Sequence, residues 1–525
     1  MKLQTIATLT ALLFSASAFS QKKELKTITE NELKAHLEFI ASDLMQGRDF
    51  GTPIPGLEIT AAYLKSQCLE MGLTPATPGF SQPVKIIQTK ADAENTFIRL
   101  KNSANQVEYI SSDIVTFPGL AKGDTITGEI VFAGYGWQNK DKGYSDLDSL
   151  EIKDKVVMIM TRNPMMKTDS ASDLMGSSQT EMAKLGPLLM SGAKAVIFVP
   201  DPLNPDTQWF DMIKEYAGAG SYTLEDEKPM QIPGNILFAS VETADAILKE
   251  TGKTLKQLQL EINKTLKPAS FVIKNFNTEI ILSKNITDVT GENIVAVVEG
   301  SDPVLKNEYV IVTAHYDHVG ISATGEVNNG ADDNGSGTVT LLEVAEAFMS
   351  MDKKPKRSVV FAWVTAEEKG LLGSHYYTKN PLFPLNKTVA NINLDMVGRS
   401  AAKEAGPLTD VEKSLAGPNG IYLITSKENI EINEIGNSVS QQLKLIPSDE
   451  LSEDFLNGSD YYHFYKNGIP ILGISTGLHE DYHKSTDDTA KIDYTKMKRV
   501  AELTFLTVFE IANRKKAVDN SLSAK

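Results

Sequence analysis

The chain has 525 residues, 41% of them hydrophobic, and a formal net charge of −16 at pH 7. That length exceeds one ordinary domain, and the apolar share excludes a disordered chain. The acidity excludes a nucleic-acid surface, which needs clustered Lys and Arg, and serves solubility instead.

The first twenty residues, MKLQTIATLTALLFSASAFS, have the pattern of an export signal. Lys2 gives the positive start, Ile6 to Phe14 the apolar stretch, and Ala16, Ala18 and Ser20 the small residues near a cleavage point. Cleavage is expected near Ser20–Gln21, with Ala18 at the −3 position. The apolar run is shorter than the ~20 residues a spanning helix needs, and no Cys follows it for lipid attachment. The mature chain is expected to be soluble and exported, to the periplasm or the medium, with no membrane span. Cys68 is the only cysteine, so no intrachain disulfide can form, and its amphipathic surroundings predict a small buried side chain.

From about 28 to 74 the sequence predicts helices. NELKAHLEFIASDL and LEITAAYLKSQCLEMG repeat apolar residues at three- and four-residue steps, with Gly72 as a stop and GRDFGTPIPG as the intervening loop. Residues 84–125 alternate in short strand-like runs. Residues 126–280 change texture, with short β-rich runs such as TGEIVFAGYGW, KDKVVMIMTR and AKAVIFVPD and no histidine at all. They read as a separate inserted domain. Beyond it, ENIVAVVEG, EYVIVTAHYD, SVVFAWVTAEE and ANINLDMVG alternate with helical patterns such as GTVTLLEVAEAFMS. Strands apolar on both faces, alternating with helices, predict an α/β fold whose mixed, mostly parallel sheet carries helices on both faces. The expected division is 1–20 signal, 21–125 first part of the main domain, 126–280 insert, 281–514 remainder of the main domain and 515–525 a loose tail.

Three apolar runs end in metal-ligand residue types: EYVIVTA at His315 and Asp317, SVVFAWVTA at Glu367 and Glu368, and NINL at Asp395. A fourth, IPILGIST, leads into GLHEDYH with His479 and His483, and the loop NNGADDNGSG adds Asp332 and Asp333. In an open α/β sheet, ligands bind beyond the carboxyl ends of the strands, so these side chains would converge on one cleft. Each has a bland alternative. His-x-Asp pairs are common, Glu367 and Glu368 could start a solvated helix, Asp332 and Asp333 could cap one, and Asp395 could be a turn residue. Coincidence of all of them at four strand ends is improbable. Imidazoles with carboxylates suit a pair of zinc-type cations, one carboxylate bridging ions ~3.5–4 Å apart, and a further carboxylate must handle the water's proton.

The ordered set HYD, GADDNGSG, AEEKG, NLDM and DYHKSTDDT, with ASDLMQGRDFGTP…ITAAYL upstream, resembles the co-catalytic zinc aminopeptidases of peptidase family M28. The β-rich middle resembles the protease-associated domain that many of them insert. By motif position the resemblance implies His315, Asp395 and bridging Asp333 at one zinc, and His483, Glu368 and Asp333 at the other. It implies Glu367 as general base, Asp317 as the carboxylate orienting His315, and a cis peptide at Asp333–Asn334. Five ligands complete such a site, so His318, His479 and His375 are expected at the rim or in packing roles, with His463 near the cleft mouth. The sequence departs from a common family form in placing Tyr461 where a His follows Ser-Asp. A tyrosine that stabilises the oxyanion in some relatives would fall near Leu456, leaving Tyr461 or Tyr462 as candidates.

The implied function is an exported dizinc aminopeptidase acting on peptides. A carboxypeptidase or small-amide deacylase on the same fold is one alternative, with Arg399 the nearby candidate to clamp a terminal carboxylate. A ligand-free binding ectodomain is disfavoured because no ligand is missing. The M20 type of dizinc enzyme lacks the D-x-x-S-G loop. The insert is expected to limit access to the cleft.

Overall fold

In a computed structural model of the protein, the described residues are 21–519 without 103, 118, 121–124, 149, 165–177, 204–208, 228–234, 323 and 401–416. The expected export segment lies outside them. They form two compact units, one joining the residues through Ile86 to those from Val289, the other running from Ile87 to Asp288. No helix among the described residues is long and apolar enough to cross a membrane.

The first unit is organised on strands β1 (Lys284–Val298), β2 (Tyr309–His315), β3 (Ser358–Val364), β4 (Thr388–Leu394), β5 (Gly420–Ile424), β6 (Ile446–Ser448) and β7 (Ile471–Ser475). They lie in the order β1-β3-β2-β4-β7-β5-β6. β2 pairs in parallel with both β3 and β4, and β4 with β7, while β1 and β5 run antiparallel to β3 and β7. Every residue of β3 and of β4 is buried, which is why the expected two-faced apolar runs appear there.

Among the described residues of this unit, the α-helices of six residues or more are α1 (Glu30–Ile40), α2 (Gly56–Glu70), α3 (Gly337–Met349), α4 (Leu372–Lys379), α5 (Ile430–Gln442), α6 (Tyr461–Lys466) and α7 (Tyr494–Asn513). Thr29 caps α1 by accepting from the Glu32 amide, and Gly72 follows α2 at φ +74°, the left-handed backbone that favours glycine. Alternation along β3 assigns its side chains to two cores. Val360, Ala362 and Val364 pack with Tyr377 of α4 and Phe464 of α6. Phe361 meets Phe348 of α3, which in turn meets Phe505 of α7. Helices therefore cover both faces. Cys68 is buried in α2, where desolvation pushes its thiol up to about 12, so it packs as a small apolar residue.

Two boundaries differ from expectation. The second unit begins at Ile87 rather than 126, because Phe97–Lys101 and Val107–Ser111 extend the sheet edge built on Ser270–Ile281. Among the described residues its sheet holds eight strands, with Thr125–Ala133, Val156–Met160, Ala195–Val199 and Ile236–Ala239 parallel at its centre. The segment after Asn513 is anchored as far as residue 519: Val518 is buried and the Asp519 amide donates to Glu431 of α5 at 2.6 Å.

Candidate metal centre

β2 ends on His315, and Asp317 and His318 follow in the loop beyond it, all three buried. β3 is followed by a sharp turn at Ala366, φ +56°, which aims Glu367 and Glu368 back over the sheet edge. Their amides donate to the two oxygens of Asp317 at 3.1 and 3.2 Å, so this carboxylate braces the Glu-Glu turn. Asp395 directly follows β4. Its Oδ2 accepts from Ser459 at 2.6 Å, and Ser459 accepts from Asn393 of β4 at 2.9 Å. Asn393 in turn accepts from Thr313 of β2 at 2.6 Å. A polar relay thus runs through otherwise apolar strands to one site carboxylate.

Asp333 lies in the turn Ala331–Ser336 that opens α3, and the Asp333–Asn334 peptide is cis. The amides of Asp332 and Asp333 both donate to Asp487 Oδ2, at 2.9 and 3.1 Å. Met396 and His483 share the left-handed backbone of Ala366, at φ +52° and +56°. Non-glycine residues in that region cluster at sites where neighbouring structure imposes the conformation.

These side chains meet in two groups: His315, Asp333 and Asp395, and His318, Asp333, Glu368 and His483, the candidate atoms in each lying within 4.8 Å of one another. Asp333 belongs to both. Its Oδ1 is 3.5 Å from His315 Nε2 and its Oδ2 is 3.1 Å from His483 Nε2. His315 Nε2 lies 3.4 Å from Asp395 Oδ1, and His483 Nε2 lies 3.1 Å from Glu368 Oε2. Glu367 stands beside the groups without joining either, its Oε2 3.9 Å from His315 Nε2.

Buried atoms here lack a well-aligned hydrogen-bond partner, His315 Nε2 and Asp395 Oδ1 among them. Buried polar atoms are rarely left so, and unpaired nitrogens and oxygens converging on a common centre are the donor set that imidazole–carboxylate sites offer to zinc. The residues fit a pair of such ions, with Asp333 placed to share.

The electrostatics agree. Burial pushes Glu367 well above the usual carboxylate range, with Glu368 and Asp395 adding to it against His315. Burial opposes ionisation of Glu368, yet bonds from His318 and His483 hold it well below that range. Burial would lower both histidines, but the surrounding carboxylates raise His315 well above the ordinary value and His483 to about 10. Two adjacent glutamates with opposite displacements have distinct chemical roles open to them.

Placement of the remaining candidates changes several expectations. His318 is not at the rim: it is wholly buried, 3.0 Å from Glu368 through Nδ1. Gly330 makes room for it, since a Cβ there would lie 2.5 Å from its ring. Asp317 reaches His315 less directly than expected, the ring Nδ1 lying 3.2 Å from its backbone carbonyl and 3.7 Å from its carboxylate. Arg399 is no free clamp, because it pairs with Asp481 at 2.7 Å and Asp487 at 3.6 Å. Tyr461 lines the cavity but gives its hydroxyl to the Phe455 carbonyl, 2.5 Å away. Tyr462 packs against the hydrophobic cluster that contains Phe464, with the Lys466 ammonium over its ring. His479 bonds Asp332, and His375 stacks on His463 with centroids 4.4 Å apart. Sequence reasoning missed Tyr482, which stacks on His483 at 3.8 Å and lines the cavity; its position directly before a candidate ligand was the available signal.

The cavity beside the site has a volume of about 280 Å³ and is walled by Ile424, Phe455 and Leu478 as well as Glu367, Asp395 and Tyr482.

Residues 293–508 match the model of Peptidase family M28. The chain is 28% identical over 327 residues to Aminopeptidase YwaD of Bacillus subtilis, covering 59% of this chain and 62% of that protein. It is 31% identical over 223 residues to Aminopeptidase Y of Saccharomyces cerevisiae, covering 39% and 35%. The chain therefore spans less than two thirds of either relative. Among solved structures, an aminopeptidase from Aneurinibacillus sp. strain AM-1 superposes with a TM-score of 0.54 at 17% identity, covering 95% of this chain and 98% of that one. A zinc aminopeptidase from Bacillus subtilis gives 0.52 at 18%, covering 94% and 98%. At such identities the likeness establishes the mixed α/β fold. Every ligand candidate above falls inside the matched segment, and residues 293–508 are a Peptidase family M28 domain.

Proposed function

We propose that the chain is an exported dizinc aminopeptidase that removes N-terminal residues from peptides, with the second unit as a protease-associated insert. The observation that carries the reading is the meeting of His315, Asp333, Glu368, Asp395 and His483, drawn from separate strand ends, around shared centres. His315, Asp333 and Asp395 would hold one zinc, and Asp333, Glu368 and His483 the other, with His318 supporting Glu368. When bound, the pair supplies Lewis-acid polarisation and draws the pKa of water toward ~7.

The chain's own residues do the rest. Glu367, outside both ligand groups and open to the cavity, takes the proton of the attacking water on its carboxylate and returns it to the departing amine nitrogen. Burial and like charge raise its proton affinity, which suits that exchange. The apolar walls receive a side chain and exclude water, and the carboxylates of Glu367 and Asp395 face where a free α-ammonium would sit.

Cavity chemistry favours an amino terminus over a carboxyl terminus. No Lys or Arg occurs among the described lining residues, and Arg399 is already held by two aspartates. A panel of aminoacyl anilides, N-acetylated anilides and C-terminally blocked peptides, assayed with and without a chelator, tests this. Hydrolysis confined to free amino termini and abolished by the chelator is expected. Cleavage of N-acetylated substrates, or activity that survives metal removal, would overturn it.

A further inference from the structure

Arg48 lies far from the metal ligands in sequence and has no exposed side chain. Its guanidinium donates to four backbone carbonyls: Nε to Tyr316 at 2.8 Å, Nη1 to Ile40 at 2.9 Å and Asn329 at 2.7 Å, and Nη2 to Gly330 at 2.8 Å. Tyr316 sits between His315 and Asp317. Asn329 and Gly330 lead into Asp333. One guanidinium therefore ties the residue that follows His315 at the end of β2 to the loop that leads into Asp333 before α3.

The backbone around it is fitted to the same task. The amide of His318 donates to the Arg48 carbonyl at 3.2 Å, and that of Gly320 to the Gly47 carbonyl at 3.1 Å. Gly47 is required for this approach: at φ +68°, a Cβ there would stand 2.5 Å from the carbonyl oxygens of Asn328 and Gly320. Asp487 completes the clamp by taking the amides of Asp332 and Asp333. The cation holds carbonyls and the anion holds amides of one ligand loop. Burial lowers the Arg48 pKa to about 10, opposed by Asp333, Asp317, Asp487 and Glu368, so the group is charged at neutral pH.

We infer that Arg48 is a positioning residue of the metal centre, holding the His315–His318 and Asp333 loops in register before any ion arrives. The inference rests on the metal-site reading above. A planar fork that spans several carbonyls cannot be copied by the single ammonium of lysine, so Arg48→Lys keeps charge and removes the geometry.

The control is Arg357, equally buried, which bonds the carbonyls of Ile511 and Arg514 and the Glu308 carboxylate, none of them near a ligand. Zinc affinity is measured by competition with a chromogenic chelator on full-length wild type, R48K and R357K, together with visible spectra of the cobalt-loaded proteins and melting of the metal-free forms. R48K is expected to bind zinc at least tenfold more weakly and to alter the cobalt bands. R357K should melt lower and leave affinity and spectrum unchanged. R48Q replaces R48K if the latter is insoluble. Unchanged affinity in the Arg48 variant, or an equal loss in R357K, would overturn the inference. So would failure of both Arg48 variants to fold while R357K folds, which would make Arg48 purely structural. A wild type that binds no zinc would instead overturn the metal-site reading.

Discussion

Asp317 offers the sharpest single substitution. In Asp317→Asn the volume hardly changes, but one acceptor oxygen becomes an NH₂ group facing either the Glu367 or the Glu368 amide, where acceptors now stand at 3.1 and 3.2 Å. A hydrogen bond to a charged acceptor is worth ~1.5–3 kcal/mol, and the abandoned amide lies in a part-buried turn. Ala366, just ahead in the turn, is left-handed, so the turn depends on such outside support. The effect should divide between folding and the site. Metal-free protein is expected to lose ~2 kcal/mol by urea unfolding. Zinc affinity should fall ~10–100-fold, the usual cost of disturbing a residue that orients a ligand and equal to ~1.4–2.7 kcal/mol. Burial raises the Asp317 pKa to about 6, so the comparison belongs at pH 7.5, where the parent is ionised. Chelator competition reads the affinity directly. An affinity within threefold of wild type would refute the idea that Asp317 sets the Glu367–Glu368 turn.

Glu367→Gln should retain both metals, measured by elemental analysis, and lose ~10²–10⁴ in kcat, since the residue stands outside both ligand groups; a loss of zinc would show it to be a ligand. Ser459→Ala removes the bond onto Asp395 Oδ2 and should lower kcat/KM about tenfold at unchanged Tm within a few degrees, by the ~1.4 kcal/mol that such a bond carries. Glu343 of α3 tests the packing behind the site. Burial, reinforced by Glu32 and Glu346, raises its pKa from 4.5 to about 8, against the Thr29 amide that donates to it. A raised carboxyl pKa contributes stability that is fully present below pH 4.5 and lost as pH rises through 8, here ~4–5 kcal/mol at 1.36 kcal/mol per tenfold step. Glu343→Gln cannot ionise, so urea unfolding should show its advantage over the parent growing by roughly 4 kcal/mol between pH 5 and pH 9. A difference independent of pH would refute the assignment.

Much of the sheet was legible because the relevant signal is local. A strand buried on both faces must be apolar along its length, and β3 is read at sight from SVVFAWV. The meeting of the candidate ligands was legible for a related reason: residues at the carboxyl ends of parallel neighbours share one edge, so the approach of His315 to Asp395 follows from where their strands stop. The start of the second unit was not legible, because the pairing of Phe97–Lys101 with Ser270–Ile281 joins segments about 180 residues apart and leaves no trace in either alone.

The unread parts of the site share one property. Asp487, Ser459 and Arg48 act on backbone groups or on other side chains, and backbone carbonyls and amides look the same in every sequence. A metal ligand betrays itself by residue type, whereas a residue that holds a carbonyl could be any donor anywhere in the chain. His318 shows the converse difficulty. Its type marked it as a possible ligand, but its place beside Glu368 depends on the gap left at Gly330 and on the Arg48 carbonyl receiving its amide. Burial imposes the same economy on all of them, because a charge or amide inside the unit must find a partner. The cluster of candidate ligands brings a dense negative field into the interior, and the Arg48 cation, the Asp487 and Asp317 carboxylates and the strand-borne relay to Asp395 are placed where that field and the turns around it need partners. The geometry of the candidate metal centre is therefore set as much by residues outside the two ligand groups as by those within them.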